Sequence, residues 1–320
     1  MDHGLNRREF LYRSAAGMGT LGFTSMGLAS GGLAALVESQ AQSAQMAIAR
    51  WTGPKPASLT EEQKTAAQLT DKVLEALGGM RRFVKPGDVV WIKPNIAWDR
   101  TRDQAANTHP DVVATLVRLC LDAGAKRVKV GDNPCDLAQK TYVISGIAEA
   151  AKKAGAEVVY LDRERFREVN IKGERIKSIP IYPEMLEADI VINVPIAKHH
   201  RLATATLCMK NYMGVVEKRQ LFHQDIPTSL ADITRFMKPR LCILDCTRIM
   251  LANGPKGGRL EDVEAKWTMA AGTDIVALDA FGAEMLRRKP EEIGSIKKGA
   301  EVGLGTMDYR SLKPKEITLS

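Results

Sequence analysis

Residues 190–194 read IVINV, a short apolar run that stops at Pro195 and opens at once into Lys198, His199, His200 and Arg201. Proline has no N–H to give to a ladder, so it closes a strand. An apolar run of this length, rich in β-branched residues and bounded by proline, reads as a buried strand. Thr204, Thr206, Cys208, Lys210 and Asn211 follow within a few residues. Open α/β sheets bind their ligands where buried strands end. The same residues also fit a solvated loop at 198–201 and the polar face of a helix at 210–211.

The pattern recurs upstream. Residues 88–92, DVVWI, run into Lys93, Pro94 and Asn95. Residues 127–130 run into Gly131, Asp132, Asn133, Pro134 and Cys135, and residues 157–161 run into Asp162. Helical patterns separate these runs. Residues 60–77 carry Ala66, Leu69, Val73, Leu74 and Leu77 at helical spacing, behind Thr60-Glu61-Glu62-Gln63 as a capping box. Pro110 opens a second helix directly after His109 and a third pattern covers 138–154. Strands alternating with helices of this length predict an α/β fold, a mostly parallel sheet built from βαβ units with flanking helices. Residues 169–182 read as a β-hairpin insertion turning at Lys172-Gly173-Glu174. Further along come a short helix at 185–188, a helix at 229–237, strands at 241–245 and 267–271, a helix at 274–287, and a helix with a turn at 297–307. A Gly-rich loop occupies 253–258.

The beginning of the chain has another character. Asn6-Arg7-Arg8-Glu9-Phe10-Leu11 resembles the twin-arginine export signal. Behind it lies a Gly- and Ala-rich stretch to Leu36, uncharged and too weakly apolar for a membrane span. Ser39-Gln40-Ala41 offers small residues for cleavage. The domain reading is therefore a signal peptide at 1–41, a polar, proline-containing linker at 42–58, and an α/β domain at 59–320. It predicts a periplasmic or otherwise exported protein with no stable membrane span after processing, and the twin-arginine machinery as a partner through Arg7 and Arg8.

Composition narrows the partners. Of the 320 residues, 45% are hydrophobic and 26% charged, an ordinary globular balance. Net charge is +8. In residues 1–41, Arg7, Arg8 and Arg13 cancel Asp2, Glu9 and Glu38, so the excess belongs to the rest of the chain. A basic surface favours anionic partners. Aromatics make up only 5%, and no long Lys/Arg block occurs, which disfavours nucleic acid. There are 5 cysteines, an odd number, and no C-x-x-C. Cys242 and Cys246 in one strand would lie about 13 Å apart, too far to bridge, so mostly buried thiols are expected. G-x-G-x-x-G, Walker A, G-x-S-x-G and H-E-x-x-H are all absent.

The ordered segments VVWIKPNI, AGA with VKVGDNP, INVPIAKHH, TATLCMKNYMG, HQDIPTSLADI, LCILDCTRIM with NGP, AGTDIVALDA and a late GLG resemble the family called domain of unknown function 362. The match spans about residues 88–308. The resemblance implies an α/β fold and a remote similarity to the N-terminal part of nickel-dependent lactate racemases. Some relatives carry an appended ferredoxin-like Cys cluster, which this chain lacks.

Parallel strands of one sheet place their C-terminal ends on the same edge. Lys93, Asn95, His109, Asp132, Lys198, His199, Lys210, Asn211 and His223 are therefore expected to line one cleft. Lys198, His199, Lys210 and His223 are the catalytic candidates, since clustering lowers lysine pKa values and histidine switches near neutral pH. Lys93, Asn95, His109, Asp132 and Asn211 are the binding candidates. His109, His199, His200 and His223 are all expected in loops, and His199 and His200, being adjacent, cannot both face one site in extended chain. Asp132, Asp225, Asp245, Asp274 and Asp279 read as caps or as carboxylates that orient neighbours. Two functions remain open at this point. One is an enzyme or binding protein for an anionic small molecule, with a metal ion or metal-containing cofactor as an option. The other is a metal- or iron–sulfur-binding redox accessory protein.

The export reading is testable by fusing residues 1–60 to a reporter. Export should depend on the twin-arginine route and stop when Arg7 and Arg8 are changed to Lys. Continued export of the double-Lys fusion would refute the assignment.

Overall fold

In the computed structural model, which describes residues 44–320, the apolar runs become strands of one ten-stranded sheet. The expected signal segment lies outside the described residues. The chain runs through β1 (Met46–Trp51), α1 (Leu59–Ala76), β2 (Val89–Pro94), α2 (Pro110–Asp122), β3 (Arg127–Val130), α3 (Ala138–Ile144), α4 (Ile147–Lys153) and β4 (Glu157–Val158). A separate hairpin, β5 (Arg167–Asn170) and β6 (Ser178–Ile181), leads to α5 (Pro183–Glu187). Then come β7 (Ile190–Val194), β8 (Ile196–His200), β9 (Thr204–Thr206), α6 (Cys208–Asn211), α7 (Ile226–Met237) and β10 (Cys242–Met250). The last elements are β11 (Val263–Gly272), α8 (Ile275–Met285), α9 (Gly294–Glu301) and β12 (Lys315–Leu319).

The strand order is β12-β1-β11-β10-β7-β2-β3-β4, with β8 and β9 branching from β10. The pairs β10–β7, β7–β2, β2–β3 and β3–β4 are parallel, as βαβ connections require. Only β11, set between β1 and β10, and β9 run against their neighbours in this sheet. The fold is α/β with a mostly parallel sheet, and the hairpin stands apart as a two-stranded unit.

Period-two alternation sorts the strand residues between two apolar layers. Val90, Ile92, Ile190 and Ile192 face the layer that contains Leu69, Val73, Val113 and Leu116 from α1 and α2. Trp91 and Val191 face the opposite layer with Leu230, Ile233, Leu278 and Phe281 from α7 and α8. Lys93 follows Trp91 on this second face and is paired in register with Asn193. Polar side chains thus appear on one face just where the strands end.

Several boundaries differ from the sequence reading. The expected linker at 42–58 contains β1, whose Met46, Ala47, Ile48 and Ala49 are buried between β11 and β12. Small apolar residues beside a proline-containing stretch gave too weak a pattern for a strand. The α/β unit therefore begins at Ala44 rather than at residue 59. Ser58, not Thr60, caps α1, with Glu61 completing the box. The helix expected over 138–154 divides at Gly146, which adopts a left-handed φ of 75°. The loop expected after Pro195 is instead β8, which leaves β7 and pairs with β10 and β9. Two of the five aspartates are caps, Asp225 on α7 and Asp274 on α8, while Asp132, Asp245 and Asp279 orient neighbouring groups.

Asp232 on α7 secures the hairpin. Its carboxylate accepts from the backbone N–H of Glu174 at 2.7 Å, Arg175 at 2.7 Å and Ile176 at 2.9 Å. Asp232→Ala strands three donors and should cost on the order of 3 kcal/mol. Faster amide exchange at residues 174–176 and a lower melting temperature are the expected readouts; unchanged exchange there would contradict this role.

Candidate functional site

Six polar side chains from separate parts of the chain join in one buried network at the strand ends. Lys93 Nζ lies 2.7 Å from Asp132 Oδ1. It also donates to Pro94 O at 3.0 Å and to Asn211 Oδ1 at 3.1 Å. Asn95 Nδ2 donates to the same Asn211 oxygen at 3.0 Å. Lys198 Nζ donates to Asn95 Oδ1 at 2.9 Å and to Ala106 O. Asp132 accepts from the N–H of Ile96 at 2.8 Å and of Asn133 at 2.9 Å. Because Asn211 Oδ1 receives two donors, its Nδ2 must be the group that donates to Lys93 O and Asn193 Oδ1. Burial lowers the pKa of Lys93 and raises that of Asp132, while their contact opposes both shifts.

Asn211 reaches the network, and Lys210 the cleft above it, because α6 is held from below. Asp279 of α8 accepts from the N–H of Cys208 at 2.6 Å and of Met209 at 3.1 Å. Burial pushes that carboxyl up to about 7. Just past α6, Gly214 packs directly over the ion pair. A Cβ there would stand 1.8 Å from Asp132 Oδ1 and 2.6 Å from Lys93 Nζ.

Above this floor opens a cleft of about 580 Å³. The Lys210 side chain enters it, and its ammonium makes no hydrogen bond or ion pair among the described residues. Burial, with further push from Arg219 and Lys93, lowers its pKa to about 8. Burial first and the Lys210 charge second lower Lys198 to about 7. Arg219 donates to Cys135 Sγ at 2.8 Å and to Pro134 O at 2.6 Å. His200 Nδ1 accepts from the N–H of Leu202 at 3.2 Å and Ala203 at 3.1 Å, which leaves its proton on Nε2. Burial, then the Lys210 and Lys198 charges, hold that imidazole neutral with a pKa of about 3.

Lys93, Asn95, Asp132, Lys198, Lys210, Asn211 and His223 line this one cleft. His109 and His199 do not. His109 is the N-cap of α2, so its Nδ1 turns to the N–H of Asp111 at 3.3 Å, and its ring meets Trp267 edge-on. Burial takes its pKa to about 3. His199 alternates away from Lys198 and His200 along β8, and its Nδ1 accepts from Gly254 N at 3.1 Å. Only one of the adjacent pair faces the site, and it is His200. Neither residue lies in the loop expected of it; both are in β8.

Cys135 and Arg219 also line the cleft. Cys120, Cys208, Cys242 and Cys246 are buried as expected, but Cys135 is exposed. Its place straight after the Gly131-Asp132-Asn133-Pro134 strand end was the available signal. Arg219 sits in a 3-10 turn, Arg219–Gln224, where the sequence has no apolar period to follow.

Among the described residues no group of three or more His, Cys, Asp or Glu side chains is placed to hold a metal ion. The donors that do converge are Lys93, Lys198, Lys210 and Arg219, and a cluster of cations repels a metal cation. His200 Nδ1 is already committed to two N–H groups. The side chains present therefore do not fit a metal held by protein ligands alone, and the four buried cysteines supply no cluster site. No helix among the described residues is long and apolar enough to cross a membrane.

The family described as domain of unknown function (DUF362) matches residues 90–284. The chain belongs to this family. A thylakoid-associated protein of Synechocystis sp. is 29% identical over 242 residues, covering 72% of this chain and 73% of that protein. Among solved structures, the lactate racemase apoprotein from Thermoanaerobacterium thermosaccharolyticum aligns with a TM-score of 0.46 at 10% identity. That alignment covers 76% of this chain and 57% of the racemase chain, so this chain spans little more than half the racemase's length. A likeness that loose transfers no residue roles.

Gly214→Ala should displace the Lys93–Asp132 pair, because neither buried partner has room to withdraw. An overpacking cost of about 1–3 kcal/mol is expected. A thermal melt with an unchanged midpoint would show that the pair can move aside.

Proposed function

We propose that this DUF362 domain binds, and acts on, a small anionic molecule, a carboxylate or a phosphate, in the Lys-lined cleft. One observation carries the reading. Lys210 is a mostly buried ammonium with no counter-charge among the described residues, on the wall of a cleft that Lys198 and Arg219 share. A buried cation is stable only when paired, and a bound anion supplies the pair. Lys210 and Arg219 are the anion anchors. Lys198, poised near 7, is a proton carrier at physiological pH. Lys93, Asp132, Asn95 and Asn211 hold the floor, and His223 stands at the rim. The proposal includes export of the domain by the twin-arginine route, supported by the Arg7-Arg8 segment alone.

Calorimetry with inorganic phosphate, acetate and malonate tests the anion site. Lys210→Met should weaken binding by roughly 10- to 100-fold without lowering the melting temperature, since it removes an unpaired buried charge. Affinity should fall as pH rises through about 8, where Lys210 loses its proton. Equal affinity in wild type and Lys210→Met, or affinity rising with pH, would sink the reading.

A further inference from the structure

We propose that Lys198 is a nucleophilic amine that forms a Schiff base with an oxo acid, whose carboxylate is held by Lys210 and Arg219. This inference rests on the anion-site reading and adds the class of substrate and the covalent step.

Two buried lysines in one network differ in their hydrogen-bond partners. Lys93 has three acceptors: Asp132 Oδ1, Pro94 O and Asn211 Oδ1. An ammonium has three N–H donors, so every proton of Lys93 is used, and one acceptor is a carboxylate. Its surroundings are those of a charged lysine. Lys198 is equally buried, at 1% exposure against 0%. It has two acceptors, Asn95 Oδ1 and Ala106 O, and no carboxylate. A neutral amine has two N–H donors and one lone pair, and two acceptors satisfy it completely. The third tetrahedral position of Nζ has no partner among the described residues, and the side chain lines the cleft. Its surroundings are those of an uncharged amine with a lone pair left over.

The neighbours reinforce this difference. The largest charge effect on Lys198 is that of the cation Lys210, ahead of the opposing effects of Cys135 and Asp132, and a second cation beside a desolvated lysine is one established way to activate it toward carbonyls. The shift to about 7 leaves a large neutral fraction at physiological pH. Asp132, the carboxylate that could have kept Lys198 charged, is taken by Lys93. An oxo acid fits because it joins the two groups the site can serve, an anion for Lys210 and Arg219 and a carbonyl for Lys198.

The step balances as follows. The Lys198 lone pair forms a C–N bond to the carbonyl carbon while the C=O π pair moves to oxygen. One amine proton passes to that oxygen, giving a neutral carbinolamine. The Lys210 ammonium then protonates the hydroxyl, which leaves as water as the nitrogen lone pair forms the C=N bond. The products are a protonated imine on Lys198, one water and a neutral Lys210, which regains its proton from solvent. The imine nitrogen draws electrons from the adjacent carbon, the setting for proton removal or loss of a carboxyl group there.

Glyoxylate with sodium cyanoborohydride, followed by peptide mapping, tests this directly on the folded protein. The expected result is a dominant adduct on Lys198 whose rate is half-maximal near pH 7, against about 10.4 for an ordinary lysine. Propanal, which lacks the carboxylate, should label Lys198 roughly tenfold more slowly, and Lys210→Met should erase that preference. Lys198→Met should abolish the adduct, and if that variant fails to fold, the wild-type map and its pH profile decide. Adducts spread over exposed lysines, with Lys198 unmodified, would overturn the proposal. Binding of glyoxylate by calorimetry without a Lys198 adduct overturns the covalent step and leaves the anion site standing. Absence of both binding and adduct overturns the two together.

Discussion

The Lys93–Asp132 ion pair is the joint on which the cleft depends. It ties the end of β2 to the end of β3, and through Asn211 it fixes the helical turn that carries Lys210. Both partners are fully desolvated. Such a pair adds little net stability over an apolar replacement, yet losing one partner costs roughly 3–5 kcal/mol because the other charge is stranded. Its value is positional. The carboxylate also takes two backbone N–H groups, from Ile96 and Asn133, so the loops leaving β2 and β3 can sit in only one arrangement around it. Gly214 closes the arrangement by coming nearer than any side chain would allow.

That joint divides the local charge unevenly. One lysine is neutralised inside the floor, and the remaining cations face the cleft. Burial lowers the pKa of both Lys198 and Lys210; the Lys210 charge lowers Lys198 further, to about 7, and Arg219 and Lys93 lower Lys210. His200, pinned through Nδ1 and held neutral, adds an N–H donor to the wall rather than a further charge. The wall therefore combines a donor, a cation and a near-neutral amine within reach of one small ligand.

Much of this was legible in the chain itself. The apolar runs ending in Lys93, Asp132 and Lys198 gave the sheet and its polar edge, because period and burial are local signals. Lys210 and Asn211 followed from proximity to that edge. What the sequence hid depended on direction rather than placement. His109 opens the helix after β2, as read, but a capping side chain turns toward its own helix. His199 and His200 differ only in which way a strand presents them, and nothing in HHRL marks the strand. Arg219 lies in a 3-10 turn without a period, β1 is apolar but stands beside a proline-containing stretch, and β12 carries only Ile317 and Leu319 as apolar residues.

The branching of β8 from the main sheet has a consequence of its own. After Pro195 the strand abandons β7 and follows β10, with Asp245 opposite Ile196 and Met250 opposite Lys198. That departure opens the gap in which the cleft lies. Along such a strand, odd and even positions meet different surroundings. Whether Lys198 and His200 or His199 face the cleft is thus a question of parity, set by the number of residues between Val194 and the branch. Deleting one residue there would present an imidazole where the amine now stands, and bury the amine among different neighbours. The chemical character of the cleft is stored in a residue count as much as in residue identity, and a single-codon deletion would be enough to exchange it.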